Sequence, residues 1–280
     1  GDYPDVYLMQ NPTNLGYAGG HNRGIRWAME QGAEWVLLLN DDITVEPCTC
    51  RHLAAQAAQN KSVAAVGGKI RPLGQPMHLW AAGEPFAREE PLREDKGQYN
   101  SQHPVHYITG CCILISRHAL QKVGLFDEDF FMYMEDVDLA WRLRLRGWES
   151  CYAPGARVLH AGSASAGEGS TFKNRLLARN KIWTILKDYP TRPLLVRLPL
   201  VLAYDLASVP YRLAFQGQTA ALLGRADAMR DLGETLSRRR RVQARRQVEW
   251  PRLSSARTTS LSRGIRVLHG SPRPNGNTKG

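Results

Sequence analysis

Residues 130–148 read FFMYMEDVDLAWRLRLRGW and set three carboxylates, Glu135, Asp136 and Asp138, on what the pattern predicts as the first turn of an amphipathic helix. One acid there complements the helix macrodipole, worth ~0.3 to 1 kcal/mol at an exposed site. Three within four residues repel one another, whereas closely set carboxylates are what general-base catalysis and metal binding require. An exposed helical acid normally finds a cation three or four positions on. Asp138 has Arg142; Glu135 and Asp136 have none, which predicts that both are free for chemistry.

Two further carboxylates, Asp41 and Asp42, end the apolar run in VLLLNDDI. Such a run suits a strand buried on both faces, and ligands of open α/β sheets bind beyond the carboxyl ends of strands. Oxygen ligands there suit Mg²⁺ or Mn²⁺, which would neutralise a diphosphate. A single Asp would more simply cap the next turn; two in succession tilt the reading toward metal. His160 closes a similar run, ARVLH, and imidazole is a common metal ligand, although considered alone it fits a rim histidine held by hydrogen bonds better. The stretch NLGYAGGHNRG (14–24) reads as a glycine loop joining strand to helix, where backbone amides can meet phosphate or sugar hydroxyls. Glycine loops also simply turn the chain.

The elements that must position these groups follow an α/β rhythm. DVYLMQ, EWVLLLN and SVAAVGGKI are expected strands, separated by helical GGHNRGIRWAMEQG and EPCTCRHLAAQAAQN. Between Arg71 and Tyr107 the pattern breaks into Pro, Gly and charge, with HLWAAG as a possible strand, a length that suggests a functional loop region. ITGCCILISR reads as a buried strand, an acidic helix starts near Tyr133 with Val137, Trp141, Leu145 and Trp148 as its core stripe, and SCYAPGARVLHAG as a strand pair or strand and turn. Residues 171–189 read as a helix and 193–250 as amphipathic basic helices.

The net charge of +11 is concentrated at Arg238 to Arg241, Arg245 and Arg246. Five cysteines, with no C-x-x-C pair, point to a reducing cytosolic compartment. The most apolar segment, 193–215, carries Arg197, Asp205, Arg212 and three prolines and is not a clean spanning helix, so it is expected to lie on a membrane rather than cross it.

NPTNLGYAGGHNRGI, WVLLLNDDI, ITGCCILISRHALQKVGLFDEDFFMYMEDVDLAWRLRLRGW and VLHAGSAS, in this order, resemble the inverting glycosyltransferases of family 2, most closely their rhamnosyltransferase-like members. The resemblance covers roughly residues 5–250. It implies a GT-A fold, with a mixed, mostly parallel sheet flanked by helices in residues 1–170, a basic helical region over 171–250, and a linker and tail over 251–280. It implies that Asp42 and His160 hold Mg²⁺ or Mn²⁺ on the donor diphosphate, with Asp41, Asn14, Gly20 and Asn22 beside the donor. Asp136 would be the general base, supported by Glu135 and Asp138. The partners implied are a nucleotide-sugar donor such as dTDP-rhamnose, a cell-surface glycan or polyprenyl-linked acceptor, and an anionic membrane surface at the cytoplasmic face; no nucleic acid is expected.

Members of that family begin with a strand of the type VVIVTYN and a second strand ending near an acidic nucleotide-binding residue. Neither is found, so an N-terminally truncated chain is expected, and a catalytically inactive remnant stands as an alternative beside a basic nucleic-acid-binding module. The last 16 residues, IRVLHGSPRPNGNTKG, resemble the start of a flavodoxin-like NAD(P)H-dependent FMN reductase and are expected to be a disordered tail.

Overall fold

The computed structural model describes residues 5–249 apart from 76, 83–92, 98, 162–169, 197, 202 and 204–218. The expected tail and its flavodoxin-like stretch lie outside the described residues, as does most of the 193–215 segment. In chain order the elements are α1 (Gly16–Glu30), β1 (Trp35–Leu39), β2 (Ile43–Val45), α2 (Thr49–Ala58), β3 (Val63–Pro72), β4 (His78–Leu79), β5 (Arg93–Glu94), β6 (His103–Val105), β7 (Cys112–Ser116), α3 (Arg117–Val123), α4 (Glu135–Leu145), β8 (Glu149–His160) and α5 (Thr171–Asp188). Residues 191–196 and 198–201 are also helical, and helices α6 (Thr219–Arg230) and α7 (Leu232–Ala244) follow among the described residues.

The main sheet runs β1-β7-β3-β8-β2, with β6 beside β8. β3 and β8 pair in parallel, while β7 runs antiparallel to both β1 and β3. The expected α/β rhythm holds in that β1 and β3 point the same way. The expected dominance of parallel pairing does not, because β7 inserts between them and the pairings of β2 and β6 with β8 are also antiparallel. Sequence spacing could not reveal this insertion, since β7 enters from some forty residues beyond β3 in the chain. The segment DVYLMQ is not a strand: Val6, Tyr7 and Leu8 are exposed and no described strand pairs with them, although Tyr7 stacks on Trp27.

The antiparallel alternation has a consequence for the site. The carboxyl ends of β1, β3 and β8 and the starts of β7 and β2 all lie along one edge, as the register pairs Leu39 with Cys112, Pro72 with His160, and Ile43 with His160. Residues far apart in sequence therefore meet there.

Core packing fixes the helices that approach this edge. One cluster joins Ile25 of α1, Ile113 and Ile115 of β7, Leu120 of α3, and Leu139 and Leu143 of α4. Each such side chain contributes roughly 1.5–3 kcal/mol on full burial. Of the expected stripe, Val137, Trp141 and Leu145 are buried on α4 and Trp148 lies beyond its end, half-buried; Glu135, Asp136, Asp138 and Arg142 are buried too, because α5 packs over the face that would otherwise meet solvent. The helix is enclosed rather than amphipathic. α5, counted by sequence with the C-terminal region, is thus keyed directly to the acidic helix. Among the described residues no helix is long and apolar enough to cross a membrane.

Candidate active site

Asp136 stands in the first turn of α4 and is only 4% exposed. Its Oδ2 accepts a hydrogen bond from Gly110 N at 3.0 Å and its Oδ1 one from Val137 N at 2.8 Å. Gly110 leads into β7, and the carbonyl of the next residue, Cys111, accepts from Asn40 N at 3.1 Å. Asp136 is therefore tied to the residue that opens the NDD turn through hydrogen bonds of the adjacent backbone groups Gly110 N and Cys111 O. Gly110 has no room for a side chain: a Cβ would come within 2.3 Å of the Tyr17 hydroxyl, which donates to Gly110 O at 2.7 Å. A close approach of this kind is what glycine permits.

Asp42 follows in the same turn. Its Oδ2 lies 3.2 Å from His160 Nε2, and the backbone is closed by Ala161 N donating to Asp42 O at 2.9 Å. The His160 ring is buried and stacks on Trp80 with centroids 4.3 Å apart. Asp42 Oδ1 is buried and has no hydrogen-bond partner among the described residues, a costly state for a carboxylate oxygen unless a ligand completes it. A hard oxygen beside an imidazole fits a divalent cation. Among the described residues no group of three His, Cys, Asp or Glu side chains could hold a metal. A cation at the Asp42–His160 pair would therefore need substrate phosphates and water to complete its shell, as Mg²⁺-type sites do. Asp41 is exposed on the same turn.

The loop entering α4 carries unusual backbone. Phe131, Tyr133 and Met134 have φ of 62°, 70° and 70°, a region that non-glycine residues enter at a cost of ~1–3 kcal/mol each. The surrounding structure holds them there. Asn180, fully buried on α5, donates its amide to the carbonyls of Phe130, Met132 and Tyr133 at 3.0, 2.9 and 2.8 Å. On the other side, Ala18 N donates to Phe131 O at 3.1 Å. Gly16, at φ 66°, is required for this contact, because a Cβ would meet Phe131 O at 2.3 Å. The strained loop is clamped between α1 and α5, and it aims the first turn of α4 at Gly110.

Several expectations need correction. The glycine stretch is not a loop: α1 begins at Gly16, so Gly20 and Asn22 lie inside a helix. Asn22 cannot serve as a donor ligand, since its Nδ2 donates to Phe126 O and Glu128 Oε1 and its Oδ1 accepts from Phe126 N, which makes it an anchor for the 126–128 loop. Asn14 caps the turn into α1 by accepting from Gly16 N at 2.9 Å. Asp138 does not face Asp136's partners. It is fully buried between Arg142 (2.8 Å) and Lys187 of α5 (2.6 Å), and holds α4 to α5. Glu135 is buried beside Asp136 in the same turn, not exposed as the charge-spacing argument assumed.

Sequence reasoning missed Trp80, Gly110, Tyr17 and Asn180. It also missed Lys69, buried near the carboxyl end of β3, whose Nζ donates to Asp95 (2.8 Å) and Asn100 (2.9 Å). With Arg71 on the same carboxylate at 2.7 Å, this ion pair pins the 93–100 segment of the irregular loop region beside the site. No local signal marks these residues, because every partner except Asp95 and Asn100 comes from a distant element.

A family model described as "Glycosyltransferase like family 2" matches residues 1–181. The chain is 34% identical over 189 residues, 59% of its length, to an N-acetylglucosaminyl-diphospho-decaprenol L-rhamnosyltransferase of Mycobacterium tuberculosis (strain CDC 1551 / Oshkosh). It is 27% identical over 193 residues, 65% of its length, to the low-salt glycan biosynthesis hexosyltransferase Agl10 of Haloferax volcanii. The chain spans 62% of the length of each of these two relatives. Among solved structures, a mannosyltransferase from Pyrobaculum calidifontis in complex with GDP-Man and Mn²⁺ matches with a TM-score of 0.46 and 17% identity, over 85% of this chain and 68% of that one.

Proposed function

Because the chain belongs to glycosyltransferase family 2, with its GT-A type of mixed α/β fold, we propose that it moves a sugar from a nucleotide-diphosphate donor to a lipid-linked or cell-surface glycan acceptor, inverting the anomeric carbon. The observation that carries this reading is the convergence of the Asp42–His160 pair and the Asp136 carboxylate on one sheet edge, linked through Asn40, Cys111 and Gly110.

In this reading Asp136 is the general base. Its oxygens each keep a lone pair beyond the backbone N–H they accept, and α4 is locked by its core contacts and by Asp138, so the carboxylate is preorganised. The acceptor hydroxyl oxygen forms a bond to the anomeric carbon as the bond from that carbon to the diphosphate oxygen breaks. The electron pair leaves with the diphosphate, and the hydroxyl proton passes to Asp136. A Mg²⁺ or Mn²⁺ ion, when held by Asp42 and His160, supplies charge stabilisation to the departing diphosphate. Trp80 keeps the imidazole oriented, and the clamp of Asn180 on the 130–133 loop keeps Asp136 in register. Asp41, exposed in the same turn, is available to the donor ribose or sugar.

The name of the mycobacterial relative supports transfer of L-rhamnose to a polyprenyl diphosphate-linked N-acetylglucosamine, and dTDP-rhamnose is the donor proposed for it. A polyprenyl acceptor in turn supports a cytoplasmic protein held peripherally at the inner face of the plasma membrane. Incubating the chain with dTDP-rhamnose, a GlcNAc-diphospho-polyprenol and Mn²⁺ tests the reading. Metal-dependent product that disappears with Asp42→Asn supports it. Absence of transfer, and of binding, with every UDP, dTDP and GDP sugar overturns it.

A further inference from the structure

Away from the sheet edge, a cavity of about 450 Å³ opens between the end of α3, the end of α4 and the helix α7. Arg146 follows the last turn of α4, ten residues beyond Asp136, so the cavity lies roughly 15 Å along that helix from the proposed base. Its lining holds seven Lys or Arg side chains against three carboxylates.

Most of the inner charges are already matched. Asp127 meets Lys187 at 2.5 Å and Asp129 meets Arg238. Arg142 is held by Asp138 and donates to the carbonyls of Val123, Gly124 and Leu125, so the carbonyl end of α3 is capped and does not repel an anion. Arg241 shares Glu234 with Arg238, each at 3.3 Å.

What remains is an excess of positive charge at the mouth. Lys122, Arg146 and Arg245 have no carboxylate within ion-pair distance among the described residues. The Nε of Arg146 is buried and has no hydrogen-bond partner there, while its NH1 donates to Arg245 O at 2.8 Å and so fixes the guanidinium in place. The guanidinium is thus held at the cavity wall with its charge uncompensated. Guanidinium groups suit the paired oxygens of a phosphate, and an ammonium adds a point charge.

We propose that this cavity is an anion site that takes a phosphate group, bound by Lys122, Arg146 and Arg245, with Arg241 turning to it from its exposed pairing with Glu234. It is separate from the sugar-transfer site and would let α7 dock on a phosphate-bearing ligand. The group can arrive as a soluble phosphate or as the headgroup of an anionic lipid, and both present the same oxygens.

The test uses the whole chain with three charge reversals at exposed positions: Arg241→Glu, Arg245→Glu, and, as a control on the same helix but outside the cavity lining, Arg240→Glu. Binding of inorganic phosphate and diphosphate is followed by calorimetry. Sedimentation with phosphatidylcholine vesicles, with and without phosphatidic acid, follows the lipid. The proposal expects Arg241→Glu and Arg245→Glu to weaken binding at least about fivefold while Arg240→Glu changes it less than about twofold. Such a loss with phosphate in solution identifies a soluble ligand; a loss confined to phosphatidic acid vesicles identifies a headgroup. Equal losses in all three variants, or no binding of either probe, overturn the proposal.

Discussion

The Nε2 of His160 lies 3.2 Å from the Oδ2 of Asp42, the last residue of β8 against the turn that leaves β1. Flat stacking on Trp80 fixes the ring, while the second carboxylate oxygen of Asp42 stays buried without a partner. If this pair holds the donor's metal, Asp42→Asn and His160→Ala should each weaken Mn²⁺-dependent donor binding on the order of 10- to 100-fold. Calorimetry with dTDP in the presence and absence of Mn²⁺ reads the effect, and metal-independent binding should be unchanged.

Asn180 serves three carbonyls of a loop with three left-handed non-glycine residues. Asn180→Ala leaves buried acceptors unpaired and removes the bonds that hold the loop against its strain, so a loss of about 2–4 kcal/mol is expected. Urea denaturation measures it. Turnover should fall further than the folded fraction accounts for, because Asp136 loses its alignment.

Asp95 offers a test in acid. Burial raises its pKa, but hydrogen bonds from Lys69, Arg71 and Gly97 N outweigh burial and hold it at about 2, below the ordinary 3.8. A depressed carboxyl contributes stability that is present above the ordinary value and is lost as pH falls through the folded-state value. Stability should therefore decline between about pH 4 and pH 2. In Asp95→Asn this dependence should flatten, and the variant should be less stable at pH 7 by about 3 kcal/mol, since Lys69 is left buried without its charge partner. Denaturant midpoints across that range decide it.

Asp188 points the opposite way. Desolvation, followed by the nearby charge of Asp138, pushes its carboxyl well above 3.8, and neither oxygen finds a donor among the described residues. The folded chain holds this proton more tightly than the unfolded chain does, so the group's contribution is present below the ordinary carboxyl value and is lost as pH rises. Asn cannot ionise. Asp188→Asn should raise stability at pH 7 by about 1–2 kcal/mol, with the gain vanishing near pH 3. A destabilised variant at pH 7 would show that Asp188 is a needed anion.

The residues that were legible in sequence are those whose signal is local. NDD and ARVLH ended apolar runs, and both runs are strands that finish at the same edge. Asp138 was paired with Arg142 by helical spacing, and the structure agrees. What was not legible depends on distant partners. Asn22 looked like a loop residue near a ligand, but its acceptor and donor sit 104 residues away. Glu135 and Asp136 looked exposed because spacing describes a helix alone, and α5 covers it thirty-five residues later. The insertion of β7 between β1 and β3 left no mark in the periodicity of any of the three strands.

The central claim is that Asp136, held by Gly110 and Val137, takes the acceptor proton. The most direct measurement is single-turnover transfer from dTDP-rhamnose by Asp136→Asn beside the unaltered chain, with donor binding measured on the same samples. An isosteric amide keeps the size of the side chain and removes the base. If Asp136 is the base, the rate falls by about 10²- to 10⁴-fold while donor affinity stays within about twofold. A rate close to that of the unaltered chain, or donor affinity falling in step with the rate, would contradict it.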